Sequence, residues 1–484
     1  MRCCQFPVTL IQSPVGNRQS ASTNSLLISH YSLSRMTVPV IVIFDVGKTN
    51  KKVLLFDEQY KLLQEESTQL EETTDEDGFA CEDVHALTRW VEQKLAEILS
   101  RKDIDVKAVN VSAYGASFVH LDEELNVATP LYNYLKSFPE DLKKQFYDNY
   151  GGEDQIARET ASPVLGSLNS GMQLYRLKYA KPEVYKKIKY SLHLPQYLCF
   201  VLSRKLATDI SSVGCHTNLW DFAKNDYHLW VYKEEFDKKF APLYSGNKII
   251  GNTRAQKAIP VGIGLHDSSA ALIPYLYSIR EPFALISTGT WCITLNPFNH
   301  TELTDEELKQ DCLCYLSYEG KPVKASRLFA GYVHEQQVKR LSVHFQKTAD
   351  YYHDIECDLA FLHQIQTSGE PPARFSESNL ADIDSYEKAY HHLVWDIVKQ
   401  QAKLTNLVLQ GAPVRKIFVD GGFAKNNIYM TMLANALPGL DIYGATISQA
   451  SALGAAMAIH KTWNNGSLPA DIIELKRFEN IHSI

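Results

Sequence analysis

The sequence lacks the features that mark metal-thiolate, membrane and nucleic-acid proteins. Its nine cysteines include no Cys-x-x-Cys pair, so neither a zinc site nor thiol-disulfide exchange is indicated. No apolar run approaches the length that spans a bilayer. The formal net charge is −7 at pH 7, which supplies no broad basic face for a nucleic-acid backbone. We therefore predict a cytoplasmic protein that binds neither nucleic acid nor membrane.

The first 35 residues lack negative charge, since no acidic residue precedes Asp45. Arginines and many serines in this stretch are typical of a transit peptide. Pro7, Pro14 and Gly16, however, interrupt any amphipathic helix there. We therefore favour the interpretation that residues 1–35 are a non-structural extension and that the folded part starts at Met36.

The rest of the chain has the composition of a globular protein with more than one core. It has 484 residues in all, of which 45% are hydrophobic and 22% are charged. Length and composition together predict two or three domains.

A buried strand is predicted where residues 40–44 read Val-Ile-Val-Ile-Phe, because continuous apolar runs fill sheets that are covered on both faces. The strand ends at Asp45. A polar turn follows over residues 46–52, and residues 53–56 return as a second strand. Apolar spacing then predicts a helix over about residues 82–99 and a strand over residues 106–113.

The same opening recurs in the second half of the chain. Residues 283–286 lead into Ser287-Thr288-Gly289-Thr290, and residues 291–295 return. A long helix over about residues 385–409, a strand over residues 416–419 and helices from about Lys425 and Ser448 follow. Two such units predict a duplicated α/β fold, with a cleft between the copies and a hinge near residues 247–260.

Both hairpin tips suit phosphate, because glycine lets backbone N–H groups crowd inward and hydroxyls add donors. Each tip alone is equally an ordinary turn. The residues predicted to contact the nucleotide phosphates are Gly47, Thr49, Asn50, Thr288, Gly289 and Thr290. Asp45 stands where the first strand meets its tip and can orient Mg²⁺ through water. The alternative is an aspartate that caps its own turn.

Other nucleotide folds do not fit the two tips. Neither matches G-x-x-x-x-G-K-[ST], so a Walker-type loop is excluded. No G-x-G-x-x-G follows a strand either, which argues against dinucleotide chemistry. We predict an α/β protein of two actin-like ATPase (ribonuclease H-like) domains with a catalytic cleft between them.

The order of motifs resembles that of the FGGY carbohydrate kinases, from Met36 to about Trp463. Residues 45–50 and 287–291 resemble the family's two phosphate motifs, and residues 264–271, Gly-Leu-His-Asp-Ser-Ser-Ala-Ala, resemble the segment that carries its catalytic base. The resemblance implies ATP and Mg²⁺ as cofactors. It also implies an N-terminal sugar-binding domain over residues 36–250 and a C-terminal nucleotide-binding domain over residues 251–484.

This resemblance makes Asp267 the base that takes the proton of a sugar hydroxyl. By itself, an aspartate after Gly-Leu-His is more often a helix cap. Its position after the predicted hinge and before the second hairpin, however, puts it at the cleft where a hydroxyl and a γ-phosphate would meet. His266 is predicted to pack beside it or to support it.

Two further segments resemble ligand-binding parts of the family. Residues 419–426, Val-Asp-Gly-Gly-Phe-Ala-Lys-Asn, resemble the adenosine-binding turn, which implies contacts from Gly421, Gly422 and Asn426. Residues 448–456 resemble the closing small-residue helix, whose role is close packing and to which no site is assigned.

The sugar pocket is matched less completely. Residues 112–122 resemble the rhamnulokinase-type segment that lines it, which implies Tyr114, Gly115 and Ser117 as substrate contacts. Residues 130–134 stand where many relatives carry Trp-x-Asp-x-Arg, and here that Asp and Arg are absent. The identity of the sugar therefore does not transfer.

The implied function is ATP-dependent phosphorylation of a primary hydroxyl of a ketose. A 6-deoxyketohexose such as L-rhamnulose or L-fuculose is the first choice, and a pentulose such as xylulose or ribulose is the second. The alternative from another class is a catalytically inactive actin-fold protein that binds nucleotide, which the retained Asp45 and Asp267 disfavour. Whether the protein is a monomer or a homodimer stays open.

Overall fold

The computed structural model describes residues 37–254, 257–367, 374–447, 449–469 and 471–480. The predicted extension over residues 1–35 lies outside the described residues. So do two residues of the predicted hinge, 255 and 256, and Ser448 at the start of the predicted closing helix.

The first part of the chain, residues 38–278, contains one large sheet and an inserted set of shorter elements. In chain order its elements are β1 (Val38–Val46), β2 (Lys51–Asp57), β3 (Leu62–Thr68), β4 (Glu72–Thr74), β5 (Ala80–Glu82), α1 (Val84–Leu99), β6 (Ile104–Ala113), β7 (Phe118–Leu121), α2 (Glu140–Tyr150), α3 (Glu153–Glu159), α4 (Ser170–Ala180), α5 (Pro182–Tyr185), β8 (Tyr190–His193), α6 (Leu194–Ser203), β9 (Thr208–Asp209), α7 (Ile210–Val213), β10 (Trp220–Asp221), β11 (Asp226–Tyr227), α8 (Leu229–Lys233), β12 (Leu243–Tyr244), β13 (Ile249–Asn252), β14 (Pro260–Gly262), β15 (Leu265–His266) and α9 (Asp267–Ser278).

The first sheet is built around β1, which pairs antiparallel with β2 and parallel with β6. Its order is β13-β14-β6-β1-β2-β3, and β15 also pairs with β6. Both faces of β1 are buried, because Val40 and Val42 enter one core while Ile41 and Ile43 enter another. The sheet continues past the predicted domain boundary between residues 250 and 251, since β14 and β15 both pair with β6.

The second part of the chain, residues 283–478, repeats this plan. In chain order its elements are β16 (Phe283–Thr288), β17 (Cys292–Asn296), α10 (Asp305–Lys309), β18 (Cys312–Leu316), β19 (Pro322–Leu328), α11 (Ala330–His344), α12 (Leu359–Thr367), α13 (Tyr386–Leu409), β20 (Lys416–Gly421), α14 (Asn427–Ala436), β21 (Asp441–Thr446), α15 (Ala450–Ala458), α16 (His460–Trp463) and β22 (Glu474–Phe478).

The second sheet has the same core topology as the first. Its order is β18-β19-β17-β16-β20-β21-β22, with β16 antiparallel to β17 and parallel to β20. The run β3-β2-β1-β6-β14 in the first sheet thus corresponds to β19-β17-β16-β20-β21 in the second. The predicted duplication and its two hairpins are confirmed.

The inner faces of the two sheets share one core with α9 and α15. Ile43 of the first sheet, Leu285 and Phe418 of the second, and Leu272 of α9 belong to the same buried cluster. Helices α1 and α6 cover the outer face of the first sheet, and α11, α13 and α14 cover that of the second. Within the described ranges, none of the helices combines the length and the apolar character needed to cross a membrane.

Helix α15 lies between β21 and β22 of the second sheet in sequence but also packs against the first sheet. A Cβ at Gly454 would stand 1.8 Å from the carbonyl oxygen of Ala270 in α9. Asn110 of β6 donates a hydrogen bond to the carbonyl oxygen of Ala455 at 2.8 Å. The small residues therefore let α15 approach α9 and β6 at backbone distance, which is the close packing predicted for them.

Replacing Gly454 by alanine is expected to destabilise the protein. The added methyl group meets a backbone oxygen that cannot rotate away, and overpacking of this kind costs about 1–3 kcal/mol. The thermal unfolding midpoint measures the loss. Gly422→Ala is a suitable control for stability, because a Cβ there meets nothing within 4 Å. Equal midpoints for the two variants would contradict this account of the helix contact.

Candidate active site

A cavity of about 310 Å³ is bounded by both parts of the chain. The first part lines it with Tyr114, Gly115, Ala116, Tyr134, Leu168, His216, His266, Asp267 and Ser268, and the second part lines it with Ser287, Thr288, Gly289, Thr290, Trp291, Ile293, Tyr315 and Arg327. Asp267 and the second hairpin tip, which were predicted separately, therefore meet in one space.

Asp267 is the first residue of α9 and directly follows β15, which is tied to β6. Its side chain is 36% exposed. Oδ1 accepts a hydrogen bond from the amide of Ser268 at 2.6 Å and lies 3.2 Å from Nε2 of His266. In the part of the chain that the structure describes, Oδ2 has no hydrogen-bond partner. One oxygen is thus held in place, and the other can accept a proton.

A buried network supports the segment before Asp267. The amide of His266 donates to Oγ of Ser211 at 3.2 Å, and that hydroxyl donates to Oδ2 of Asp209. Asp209 also caps α7, because its carboxylate accepts from the amide of Ser212 at 3.0 Å. Burial lowers the pKa of His266, so its ring stays neutral beside the carboxylate of Asp267. The network fixes the backbone that carries the candidate base.

Asp209 predicts a pH dependence of stability. Burial raises its pKa from 3.8 to about 6, so between those values the folded state binds more protons than the unfolded state. The free energy of unfolding should therefore fall as pH rises through that window, by about 2–3 kcal/mol from this group. Chemical denaturation over a pH series measures it. Asp209→Asn should remove this part of the slope, and a variant with the wild-type slope would contradict the assignment.

Asp45 is the next-to-last residue of β1, one residue before the strand ends at Val46, and is half-buried. Ser451 of α15 donates to its Oδ2 at 3.0 Å. Burial, followed by the negative charge of Asp267, raises the pKa of Asp45 to about 6. The charge of Asp267 thus opposes the ionisation of Asp45, and two neighbouring carboxylates form a donor set that suits a divalent cation. Sequence reasoning did not select Ser451, because the small residues of its helix were interpreted as serving close packing and no site was assigned to them.

The first hairpin tip is a tight turn in which the amide of Gly47 donates to the carbonyl oxygen of Asn50 at 2.9 Å. Thr49 and Asn50 are exposed, and Oδ1 of Asn50 accepts from Gln69 at 3.0 Å. Asp45, Gly47, Thr49 and Asn50 do not line the 310 Å³ cavity.

The side chain of Lys51 stabilises the first hairpin tip. Its Nζ donates to the carbonyl oxygens of Gly47 and Lys48 at 3.2 and 2.9 Å, and it lies 2.5 Å from Oε1 of Glu82. The hydroxyl of Tyr114 donates to Oε2 of the same glutamate. Lys51 and Glu82 are both buried. A desolvated ion pair therefore links the first tip to Tyr114, which lines the cavity.

The second tip is locked to the predicted adenosine turn. Thr288 donates its hydroxyl to the carbonyl oxygen of Asp420 at 2.5 Å and accepts from the amide of Phe423 at 3.0 Å. Gly421 has φ +90°, and a Cβ there would stand 2.0 Å from the carbonyl oxygen of Thr288. Only glycine fits this contact. The hydroxyl of Thr288 is occupied within the protein, which leaves Gly289 and Thr290 at the tip itself.

Asn426 ends the same turn and caps α14. Its Oδ1 accepts from the amide of Tyr429 at 3.1 Å, and its Nδ2 donates to the hydroxyl of Tyr390 at 2.7 Å. Gly422 borders open space, since a Cβ there would meet nothing within 4 Å. None of the three predicted adenosine contacts lines the 310 Å³ cavity.

The predicted sugar contacts divide into two groups. Tyr114 and Gly115 line the cavity, and a Cβ at Gly115 would stand 2.8 Å from the ring of His266, so glycine leaves room for that histidine. Ser117 does not line the cavity. It is buried, and its carbonyl oxygen accepts from the amide of Leu194 at 3.1 Å.

Sequence reasoning missed four residues that line the cavity: Leu168, His216, Tyr315 and Arg327. Each is separated in sequence from the segments that were interpreted as the site. For Arg327 the sequence shows only a single arginine among the uncharged residues of 325–328. That pattern does not indicate that its side chain lines the cavity.

Solved structures share the fold of this chain. The chain is similar to a carbohydrate kinase from Novosphingobium aromaticivorans, with a TM-score of 0.76 and 22% identity, over 92% of this chain and 95% of that chain. It is also similar to the ligand-bound xylulose kinase from Lactobacillus acidophilus, with a TM-score of 0.76 and 16% identity, over 92% and 94%. The predicted fold of two actin-like domains is confirmed.

Two family models cover most of the chain. The model described as the FGGY family of carbohydrate kinases, N-terminal domain, matches residues 40–274, and the carbohydrate kinase FGGY, C-terminal domain, matches residues 280–467. The chain belongs to the FGGY family of carbohydrate kinases, as the order of its motifs predicted.

Two curated relatives resemble the chain at low identity. L-fuculokinase of Haemophilus influenzae is 23% identical over 461 residues, which span 86% of this chain and 93% of that protein. Rhamnulokinase of Halalkalibacterium halodurans is 22% identical over 263 residues, 51% of this chain. The match spans about half the length of the rhamnulokinase, 54%.

Proposed function

We propose that the protein is an ATP- and Mg²⁺-dependent kinase that phosphorylates a primary hydroxyl of a ketose. The observation that carries this proposal is the shared cavity, where Asp267 with its free oxygen faces the Gly289-Thr290 tip. A base beside a phosphate-binding tip is the arrangement that phosphoryl transfer to an alcohol needs.

The transfer step follows from this arrangement. Oδ2 of Asp267 takes the proton of the sugar hydroxyl as that oxygen forms a bond to the γ-phosphorus. The bond between the γ-phosphorus and the bridging oxygen breaks, and the electron pair leaves with ADP. Thr290 is the residue of the second tip proposed to hold phosphate oxygens, since the amide of Gly289 already donates to the carbonyl oxygen of Trp291 at 2.9 Å. The ordered Oδ1 of Asp267 keeps the accepting oxygen in position before the sugar arrives.

Asp45 is the residue proposed to hold Mg²⁺, through water. When bound, Mg²⁺ supplies positive charge against the phosphate oxygens. The residues fit this role, because Asp45 lies close enough to Asp267 for the charge of Asp267 to oppose the ionisation of Asp45, and a cation offsets that repulsion. Ser451 orients the carboxylate from the opposite part of the chain.

We propose that the sugar binds against the first part of the chain and that the nucleotide binds against the second part of the chain. A 6-deoxyketohexose such as L-rhamnulose or L-fuculose is the first choice of substrate. It is supported by the names of the two curated relatives and by Leu168 and Ile293 in the cavity lining, which offer apolar contact for a methyl group. A pentulose is the second choice, supported by the similarity to a xylulose kinase structure.

ADP release across a panel of sugars tests the proposal. The panel contains L-rhamnulose, L-fuculose, D-xylulose, L-ribulose and glycerol, each with MgATP and the full chain. One ketose is expected to stimulate ADP release well above the rate with MgATP alone. If the protein binds MgATP and no member of the panel stimulates turnover, it is instead the nucleotide-binding protein without transfer activity.

A further inference from the structure

We infer that Arg327 and His216 form a hydroxyl-binding pair in the floor of the cavity, which selects a neutral sugar over a sugar acid. This inference rests on the proposed function. It adds the side chains that hold the sugar and the net charge that the sugar must have.

Arg327 lies on β19 and is buried, with 6% of its surface exposed. Its Nη2 donates to both carboxylate oxygens of Asp311, at 2.8 and 3.0 Å. The guanidinium carbon lies 5.0 Å from the ring centre of Trp291. In the described part of the chain, Nη1 has no hydrogen-bond partner. The guanidinium is therefore held from two sides. Its Nε is buried without a hydrogen-bond partner among the described residues, and Nη1 is the nitrogen that we assign to a ligand.

His216 supplies the complementary group. Its Nδ1 lies 3.2 Å from the carbonyl oxygen of Leu168, and because a carbonyl only accepts, this nitrogen carries the proton. Burial, and next the charge of Arg327, lowers the pKa of His216 to about 3, so the ring is neutral. Nε2 is then an acceptor, and it has no hydrogen-bond partner among the described residues.

A hydroxyl matches this pair because it both donates and accepts. Nη1 of Arg327 donates a hydrogen bond to the hydroxyl oxygen, and Nε2 of His216 accepts a hydrogen bond from the hydroxyl. A second hydroxyl of the same sugar then faces Asp267, whose side chain lines the same cavity. The floor therefore fits a molecule that carries several hydroxyls.

The charge balance of the cavity argues against an anionic substrate. The positive charge of Arg327 is already matched by Asp311, and the remaining charge in the lining is the carboxylate of Asp267. A sugar acid would bring a further negative charge into a largely desolvated space without a free cation to pair with it.

The pair spans the two parts of the chain at a junction that is closed by backbone contacts. The amide of Leu316 on β18 donates to the carbonyl oxygen of Gly214 at 3.1 Å, two residues before His216. A Cβ at Gly214 would stand 2.4 Å from that of Leu316. This side of the cavity is thus assembled before the sugar binds.

Arg327→Met tests the pair, because methionine keeps much of the apolar stem and removes the donor. With the ketose that gives the highest wild-type turnover, we expect KM for the sugar to rise about 10- to 100-fold, the usual effect of losing a charged hydrogen bond. KM for MgATP should stay within about twofold. Arg477→Met is the matched control, since Arg477 lies on β22 with 57% of its side chain exposed.

Further variants separate hydrogen bonding from packing. His216→Leu should raise KM for the sugar, and His216→Gln, which returns an acceptor near the position of Nε2, should restore part of the loss. Asp311→Asn leaves the charge of Arg327 unmatched and should improve binding of D-gluconate relative to the wild type. If the methionine variant does not fold, Arg327→Lys keeps the charge without the planar fork and should show an intermediate rise in KM.

Two results would overturn the inference: an unchanged KM for the sugar in Arg327→Met, or a wild type that prefers D-gluconate to every ketose. Calorimetric titration of ketoses separates this inference from the proposed function. Ketose binding that Arg327→Met abolishes, in a wild type without turnover, supports the pair and rejects the kinase proposal. A wild type that neither binds nor turns over any sugar rejects both.

Discussion

Asp267→Asn is expected to lower kcat by about 10²- to 10⁴-fold, the usual contribution of a positioned general base. Asparagine keeps the hydrogen bond from the Ser268 amide to the side-chain oxygen and removes the oxygen that accepts the proton. The defect should therefore appear in kcat, while MgADP binding stays close to that of the wild type. ADP release with saturating sugar and calorimetric titration of MgADP measure the two quantities.

Asp305→Asn is the matched control for this substitution. Asp305 is also the first residue of a helix, α10, but its side chain is 52% exposed and pairs with Arg158 outside the cavity. Its kcat should equal that of the wild type. An Asp267→Asn protein that keeps the wild-type kcat would show that another group takes the proton.

Lys51→Met is expected to destabilise the protein by about 3–5 kcal/mol, because it leaves the carboxylate of Glu82 buried without its cation. Lys51 and Glu82 are 3% and 4% exposed, with Nζ and Oε1 2.5 Å apart. The same change also frees the carbonyl oxygens of Gly47 and Lys48 at the first tip. Chemical denaturation measures the stability, and KM for MgATP reports on the tip.

A second lysine in the same hairpin provides the comparison. Lys48 pairs with Glu72 at 3.0 Å, but their side chains are 25% and 50% exposed, so Lys48→Met should cost less than about 1 kcal/mol. Adding Glu82→Gln to Lys51→Met should recover part of the loss, since the buried charge is then gone. Equal losses of stability for Lys48→Met and Lys51→Met would show that the buried Lys51–Glu82 pair contributes no more to stability than the exposed Lys48–Glu72 pair.

The predicted strands and hairpins were confirmed because they are local. The run over residues 40–44 is buried on both faces, as continuous apolar strands are. The long predicted helix near residues 385–409 is α13, Tyr386–Leu409. The duplication could also be seen in the sequence, because each copy repeats a strand, a polar tip with glycine and threonine, and a returning strand.

The candidate site could be predicted only in part. Asp267 and the second tip were found because motif order placed them at a cleft, and the structure brings them into one cavity. Ser117 was selected by its position in a motif, yet it faces the protein interior. Arg327 was missed, because a strand side chain shows its neighbours only when the adjoining strands and loops are known.

By itself, the sequence determined the two-hairpin α/β plan and the family, and it predicted Asp45 and Asp267 as site residues, since alternating hydrophobicity and short motifs depend on nearby residues. Tertiary structure alone decided that α15 brings Ser451 to Asp45, that Lys51 pairs with Glu82 beside the first tip, and that Arg327 and His216 line one cavity. The physical reason is that these contacts join residues far apart in sequence, and only packing of both sheets against α9 and α15 brings them together.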